Sequence, residues 1–296
     1  MDTLRNDKYL YLMFALPLAY YLIFHYYPMY GLTLAFKDFS PRKGILGSPW
    51  AGLKYVRQFL QDPYFWTVFK NTIVLNVFNM IWSFPIPILL ALLMNELKFP
   101  GFKKAVQTIS YLPHFISTVV VVGMLVNFLS TDGLVNRLLG HLNLGPFQFL
   151  TEIRYFRSLY IVSEIWQTAG WSSIIYLSAL SAVDVQLYEA ATVDGAGRFR
   201  QLVHITLSGI APTISIMFIL QTGQMMTVSF QKILLLLNGP IMPVADVIST
   251  YVYRQGILGA DFSYSTGVGL FQSVISVLFV VVTNAISRKI GETSLW

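Results

Sequence analysis

The segment YEAATVDGAGRFRQLVHITLSGIAP, residues 188–212, is a polar stretch between two long apolar runs, and the organisation of the chain can be worked out from it. Asp184, just before the segment, is a typical N-cap residue. Gly195 can adopt the left-handed backbone conformation that ends a helix at little steric cost. The pattern predicts a short helix, a tight turn at Gly195, and a second helix that runs from about Ala196 into the membrane.

The side chains of this segment suit a docking surface. Ala190 and Ala191 are small enough for a partner to approach the backbone closely, and Glu189 supplies one directed charge. The helix after the turn is basic, with Arg198, Arg200 and His204. The alternative interpretation is an ordinary solvated loop between two membrane spans.

The spacing of this segment resembles the EAA loop, the signature of permease subunits of binding-protein-dependent ABC importers. The matching residues are Glu189, Ala190, Ala191, Gly195, Ile205 and Leu207. One departure is visible, because Ser208 stands where the family usually has proline and Pro212 follows later. The resemblance implies an all-α membrane protein with the type I ABC importer permease fold.

The resemblance also implies a role for the loop, which spans residues 185–200. In the family this loop faces the cytoplasm and seats in a cleft of the ATPase. The residues expected to couple the two proteins are Glu189, Ala190, Ala191, Asp194, Gly195 and Ala196. An N-terminus on the cytoplasmic side and six spans would satisfy this orientation, which the distribution of basic residues favours only slightly.

The composition is that of an integral membrane protein. Of the 296 residues, 55% are hydrophobic and only 11% are charged, against about 25% charged in soluble domains. Cysteine is absent, which excludes disulfides and thiolate sites. The net charge of +6 is spread along the chain without a basic, aromatic-rich patch, so no nucleic-acid partner is expected. Instead, the basic residues are expected to flank the membrane and to contact lipid.

The apolar runs predict a single transmembrane domain over residues 1–296. Its six spans are predicted at residues 9–27, 67–94, 110–129, 156–180, 210–237 and 265–286. The first run is too long for a signal peptide and lacks a small-residue cleavage site, so an uncleaved helix is favoured. Pro85 and Pro87 are expected to kink the second span.

Four further segments resemble permeases that import fragments of complex carbohydrates. They are YPMYG (27–31), AFKDF (35–39), SPWAGLKY (48–55) and QTISYLPHFIS (107–117). The resemblance implies a sugar or oligosaccharide substrate delivered by an external solute-binding protein. It further implies a second, homologous permease subunit, two ATPase subunits, and a multi-pass location in the bacterial cytoplasmic membrane.

Sequence motifs for catalysis are missing. No G-x-x-x-x-G-K-[ST] loop occurs, so a separate ATPase subunit is expected to bind ATP and Mg²⁺ and to hydrolyse the nucleotide. The chain itself is predicted to be neither an enzyme nor a cofactor carrier. The four histidines are far apart and show no ligand spacing, so no metal site is predicted.

Uncharged polar residues within the spans are the candidates for a substrate path. The predicted path consists of Gln167, Thr168 and Trp171 on the fourth span, Gln221 and Gln224 on the fifth, and Asn79 on the second. Amides and aromatic rings match the hydroxyls and apolar ring faces of a sugar. The alternative is that these amides hydrogen-bond neighbouring helices.

Two other function classes remain open at this point. An ion-coupled secondary carrier or a channel would act without an ATPase, and a membrane scaffold would transport nothing. Coupled carriers place carboxylates inside their spans, and here Glu164 is the main candidate. The scarcity of such groups favours the ABC importer.

Overall fold

A computed structural model describes residues 8–291, and regular structure in this range is helical apart from one isolated bridge between Lys37 and Trp50. The α-helices are α1 (Lys8–Tyr21), α2 (Gly44–Gly47), α3 (Lys54–Gln61), α4 (Phe65–Ser83), α5 (Pro85–Asn95), α6 (Pro100–Tyr111), α7 (Thr118–Leu129), α8 (Leu134–His141), α9 (Ile153–Ser181), α10 (Val185–Val193), α11 (Arg198–Gln201), α12 (Ser208–Gly223), α13 (Phe230–Leu236), α14 (Met242–Ala245), α15 (Ile248–Tyr253) and α16 (Phe262–Gly291). Turns of 3-10 helix cover Tyr27–Phe36 and Leu112–Phe115, and π-helical turns cover Leu22–Tyr26, Leu202–Leu207 and Arg254–Leu258.

Within residues 8–291, five helical stretches are long and apolar enough to cross a membrane. They are Tyr9–Phe36, Phe65–Asn95, Thr118–His141, Arg198–Gly223 and Phe262–Lys289. Helix α9 has 29 residues, so at about 1.5 Å per residue it is also long enough to cross, although it is more polar than these five. The all-helical membrane class predicted from the sequence is therefore confirmed.

Two predicted spans need correction. The third, residues 110–129, is not one helix, because α6 ends at Tyr111 and α7 begins at Thr118. Pro113 cannot donate a backbone hydrogen bond, and the side chain of Ser117 accepts one from the Val120 N–H and so caps the new helix. The α-helix is thus interrupted inside the predicted span.

The fifth predicted span, residues 210–237, is helical only as far as Gly223. Turns and irregular backbone follow, and α13 begins at Phe230. The backbone N–H of Ser229 donates to the hydroxyl of Tyr160 over 3.2 Å, so a side chain from α9 replaces the usual helical acceptor. Apolar composition could not show this break, because the compensating hydrogen bond comes from a distant helix.

The chain groups into two compact units. The single transmembrane domain over residues 1–296 stays a prediction. The first unit contains the residues up to Phe65 together with Tyr251–Gln272. Its centre is Phe59, which is fully buried and packs edge to face on Phe65 and Phe271.

The surface of this first unit carries an ion pair. The Lys54 ammonium lies 2.6 Å from the Asp38 carboxylate, which also accepts a hydrogen bond from the Tyr55 hydroxyl. The hydrogen bond from Lys54 holds the pKa of the Asp38 carboxyl below its usual value of 3.8. The Tyr9–Phe36 stretch of this unit exposes its apolar side chains along most of its length, as a lipid-facing span does.

The second unit contains Trp66–Thr250 and the residues from Ser273 onward, and it is built around α9. This helix packs against α5, α6 and α12. At Gly170 the contact with α6 is so close that an added Cβ would overlap the carbonyl of Ser110. The packing leaves one polar stripe of α9 facing α4 and α12, where the candidate site lies.

Candidate functional site

The EAA-like loop, residues 185–200, forms the helix–turn–helix that the sequence predicts. The Asp184 side chain accepts a hydrogen bond from the Gln186 N–H over 2.9 Å and so caps α10. Gly195 has a φ of +75°, and the Ala196 N–H returns to the Ala191 carbonyl over 2.8 Å to close the turn. Only the start of the second helix differs, because α11 begins at Arg198 and not at Ala196.

Side-chain hydrogen bonds hold the two arms of the loop together. The Gln201 amide donates to the Thr192 hydroxyl over 3.1 Å and to the Ala196 carbonyl over 3.0 Å. The hydroxyls of Tyr188 and Thr206 lie 2.9 Å apart, which ties α10 to the helix that enters the membrane. These hydrogen bonds connect α10, the turn and the helical segment that continues into α12.

The loop presents a charged and apolar face. Glu189, Ala190, Asp194 and Gly195 are exposed, whereas Ala191 and Ala196 are half-buried. Next to them Val193 and Phe199 are 89% and 78% exposed. Both apolar side chains are therefore accessible to a partner protein.

A polar cavity lies among α4, α5, α9 and α12, with a volume of about 270 Å³. From α9 it receives Glu164, Thr168, Ser172 and Tyr176, which are four residues apart and therefore form one stripe. The other helices contribute Asn79, Ser83, Phe84, Pro87, Met217 and Gln221. Amides, hydroxyls and aromatic rings thus line a single space.

Some of these polar groups have unused hydrogen-bonding capacity. Within residues 8–291, neither the Asn79 amide oxygen nor the Ser83 hydroxyl has a hydrogen-bond partner, although both atoms are buried. Buried polar atoms normally have a partner in the protein, a bound water or a ligand. The cavity therefore offers hydrogen-bonding atoms to a polar ligand.

A second depression of about 480 Å³ adjoins the cavity. It is lined by the segment His114–Thr118, by Gln167 of α9, and by Ser229 and Gln231 before and in α13. Glu164 and Thr168 line both spaces, so the two meet at these side chains. Together they form a polar route along one side of α9.

An ion pair stands where the two spaces meet. The Lys232 ammonium of α13 lies 3.2 Å from Glu164 Oε1, and the exposed fractions of the two side chains are 1% and 14%. The sequence singled out Glu164 only as a possible ion-coupling group and did not predict its partner. The pairing could have been predicted from the sequence, because Glu164 and Lys232 are opposite charges within apolar runs and such charges usually pair.

The structure places the six predicted path residues in different surroundings. Asn79, Thr168 and Gln221 line the 270 Å³ cavity. The Gln167 amide donates to the Ile116 carbonyl over 3.0 Å and lines the second depression. The Trp171 ring stacks on His114 with the centroids 4.7 Å apart. Gln224 is exposed at the C-terminal end of α12.

Within the described range, no three His, Asp or Glu side chains are grouped closely enough to hold a metal ion.

A helical membrane protein with an exposed, braced loop and a polar route between its helices has the architecture of an importer permease. Residues 68–292 match the family described as "Binding-protein-dependent transport system inner membrane component", and the chain belongs to this family. It is a transmembrane permease of the ABC importer class, as the EAA-like spacing predicts.

Several relatives are similar along their whole length. The chain is 46% identical to the polygalacturonan/rhamnogalacturonan transport system permease protein YteP of Bacillus subtilis (strain 168), over 99% of this chain and 92% of the relative. It is 40% identical to protein LplB of the same organism, over 100% and 93%. A solved bacterial alginate ABC transporter, in complex with an alginate pentasaccharide-bound periplasmic protein, contains a chain that superposes with a TM-score of 0.90 at 40% identity, covering 99% of each chain.

Proposed function

We propose that this chain forms one half of a permease pair that passes a saccharide through a bacterial cytoplasmic membrane. The observation that carries the proposal is the polar route along α9, where Asn79, Thr168 and Gln221 line one cavity with Tyr176 and Phe84. A sugar needs many hydrogen-bond partners for its hydroxyls and apolar surfaces for its ring faces. The relatives named for polygalacturonan and alginate transport support this substrate class.

In this proposal the energy enters through the EAA-like loop. A separate ATPase seats α10 in a cleft, and closure of the cleft on ATP and Mg²⁺ moves α10 together with the helix braced to it. Glu189, Ala190 and Ala191 face the ATPase, and Gly195 sets the turn. A second homologous permease, a second ATPase and an extracytoplasmic solute-binding protein complete the transporter, and the complex found in the solved alginate transporter supports the binding protein.

The Glu164–Lys232 pair weakens the rival interpretation. An ion-coupled carrier would need an intramembrane carboxylate that is available to a proton or sodium ion. Here the charge of that carboxylate is already balanced by a buried ammonium at 3.2 Å, so a cation gains little by binding there. The pairing supports a path for a neutral or multiply hydroxylated ligand over an ion-coupling site.

The experiment has two stages. The tagged chain is purified from its native membrane in mild detergent, and its partners are identified by mass spectrometry. The complex is then placed in liposomes, and uptake of labelled oligogalacturonides, alginate pentasaccharide and maltose is measured with ATP inside and the binding protein outside. We expect recovery with a second permease and an ATPase, and uptake only with ATP. Uptake driven by a proton gradient without ATP would establish a secondary carrier, and no uptake would favour a scaffold.

A matched pair of variants tests the position of the path. Gln221 lines the cavity, whereas Gln224, three residues later, is exposed at the helix end. Gln221→Leu should therefore lower uptake at least tenfold while ATPase attachment is kept, and Gln224→Leu should not. Equal uptake by the two variants would place the path elsewhere.

A further inference from the structure

We propose that Glu164 is a saccharide-binding residue that accepts hydrogen bonds from substrate hydroxyls, and that Lys232 is the positioning residue that holds it in place. This inference rests on the proposed function and specifies the chemistry of its central contact. It assigns the substrate a hydroxyl-bearing face at this point of the route, and it assigns the buried ammonium a role in transport.

The burial of the two side chains is unequal. Glu164 lines both polar spaces, and 14% of its side chain is exposed, whereas Lys232 is 1% exposed and lines neither of them. A ligand in the route therefore meets the carboxylate and not the ammonium. Lys232 reaches the carboxylate from α13 and is itself buried.

The contacts of Lys232 are too few for a purely structural ion pair. An ammonium has three N–H donors, yet in the part of the chain that the structure describes its Nζ has the single ionic contact with Glu164 Oε1 and no hydrogen bond of good geometry. Buried ion pairs stabilise a fold only when further hydrogen bonds satisfy both groups. The pair is therefore a poor source of stability, and a functional reason for it is needed.

The chemistry of the carboxylate supplies that reason. An ionised carboxylate is an acceptor only, with about four lone-pair positions on two oxygens, and Lys232 uses one oxygen at 3.2 Å. Hydrogen bonds from hydroxyls to an ionised acceptor are about twice as strong as neutral ones. A substrate carboxylate at the same place would be repelled, so an acidic saccharide must turn its hydroxyls towards Glu164.

The surrounding groups complete a site for hydroxyls. Thr168 donates its own proton to the Glu164 carbonyl over 2.7 Å, so its hydroxyl oxygen is left to accept from a ligand. In the same cavity the Asn79 amide oxygen and the Ser83 hydroxyl lack partners among the described residues. Open acceptor positions on Glu164, Thr168 and Asn79 thus line one cavity, and they match a ligand that brings several donors.

Two double variants separate binding from packing. Glu164→Gln/Lys232→Met removes both charges and leaves no unpaired charge, and Glu164→Lys/Lys232→Glu exchanges the partners and keeps the pair. The matched control neutralises the surface pair of Glu152 and Arg154, at the start of α9, as Glu152→Gln/Arg154→Met. Each full transporter is assayed in liposomes with the saccharide of the panel that the wild type imports.

We expect both cavity variants to assemble with their partners, to keep their melting temperature within a few degrees, and to raise the KM of uptake at least tenfold, with a smaller change in kcat. The surface control should keep the wild-type KM. If the exchanged or the neutral pair imports with the wild-type KM, the pair is only structural and the inference is overturned.

Single Glu164→Gln guards against a double variant that fails to assemble, because its amide oxygen can still face Lys232. It should raise the KM, and an unchanged KM would overturn the inference. A wild-type transporter that imports no saccharide would refute the proposed function itself, which is a different result from import that ignores Glu164.

Discussion

Gly195 allows the sharpest test of the coupling loop, because the cost of replacing it can be worked out from the structure. Its φ of +75° lies in the left-handed region, and an added Cβ would meet no atom within 4 Å. A substitution there is penalised by backbone strain alone, which is about 1–2 kcal/mol for an L-residue. That energy corresponds to a drop of about 5- to 30-fold in the population of the native turn.

The matched control stands two residues later. Gly197 has a φ of −69°, also has open space at the Cβ position, and is the N-cap of α11. Serine is favoured at N-caps, so Gly197→Ser should be neutral or slightly stabilising. Gly195→Ser carries the same side chain in the strained conformation, so only this variant should distort the turn.

The assay is the affinity of the purified permease pair for its ATPase, together with the number of ATP molecules hydrolysed per saccharide imported. We expect Gly195→Ser to weaken ATPase binding about 5- to 30-fold and to leave the melting temperature of the permease unchanged, because the loop is exposed. Gly195→Asn should recover part of the loss, since asparagine tolerates the left-handed region. Equal affinities for the Gly195→Ser and Gly197→Ser variants would refute the role assigned to the turn.

Three further predictions concern packing, capping and charge. Gly170→Ala should destabilise the protein by several kcal/mol or prevent its assembly, because the added Cβ overlaps the backbone of α6. In the control Gly123→Ala in α7, the added Cβ meets no atom within 4 Å, so this variant should keep the wild-type melting temperature. Equal melting temperatures for the two variants would contradict the close approach at Gly170. Asp184→Ala removes the N-cap of α10 and should cost about 0.5–2 kcal/mol, visible as faster hydrogen exchange in α10, while Asp184→Ser should restore the wild-type exchange. Because Lys54 lowers the pKa of Asp38, the stabilisation from this pair is present above pH 3.8 and is lost as the pH falls through the lowered pKa. Asp38→Asn should therefore lower the melting temperature at pH 7 and leave it unchanged at a pH below that lowered pKa. A constant difference in melting temperature at all pH values would contradict this prediction.

The parts of the fold that could be predicted from the sequence are those governed by local chemistry. Composition and run length indicated helical membrane spans, because backbone groups in lipid must be satisfied within the helix. The turn at Gly195 followed from a residue that tolerates positive φ, and the cap at Asp184 followed from its short acceptor side chain. The breaks after Tyr111 and Gly223 lie inside apolar runs, where hydropathy cannot distinguish one helix from two.

The site was predicted less completely for a geometric reason. The sequence indicated that Gln167 and Trp171 share a face of α9, and both lie against the segment around Ile116 and His114. The stripe from Glu164 to Tyr176 occupies a neighbouring face, and it lines the cavity because α4 and α12 stand opposite it. Periodicity shows which residues share a face, and only the packing of other helices shows what that face meets.

By itself, the sequence determined that this is a helical membrane permease with an EAA-like helix–turn–helix loop, because composition, glycine placement and residue spacing act over a few residues. The tertiary structure alone decided which polar residues share a cavity and that Glu164 of α9 is paired with Lys232 of α13. Such a pairing joins two helices that are distant in the chain. It depends on how the helices pack, and packing is settled by the contacts of the whole fold.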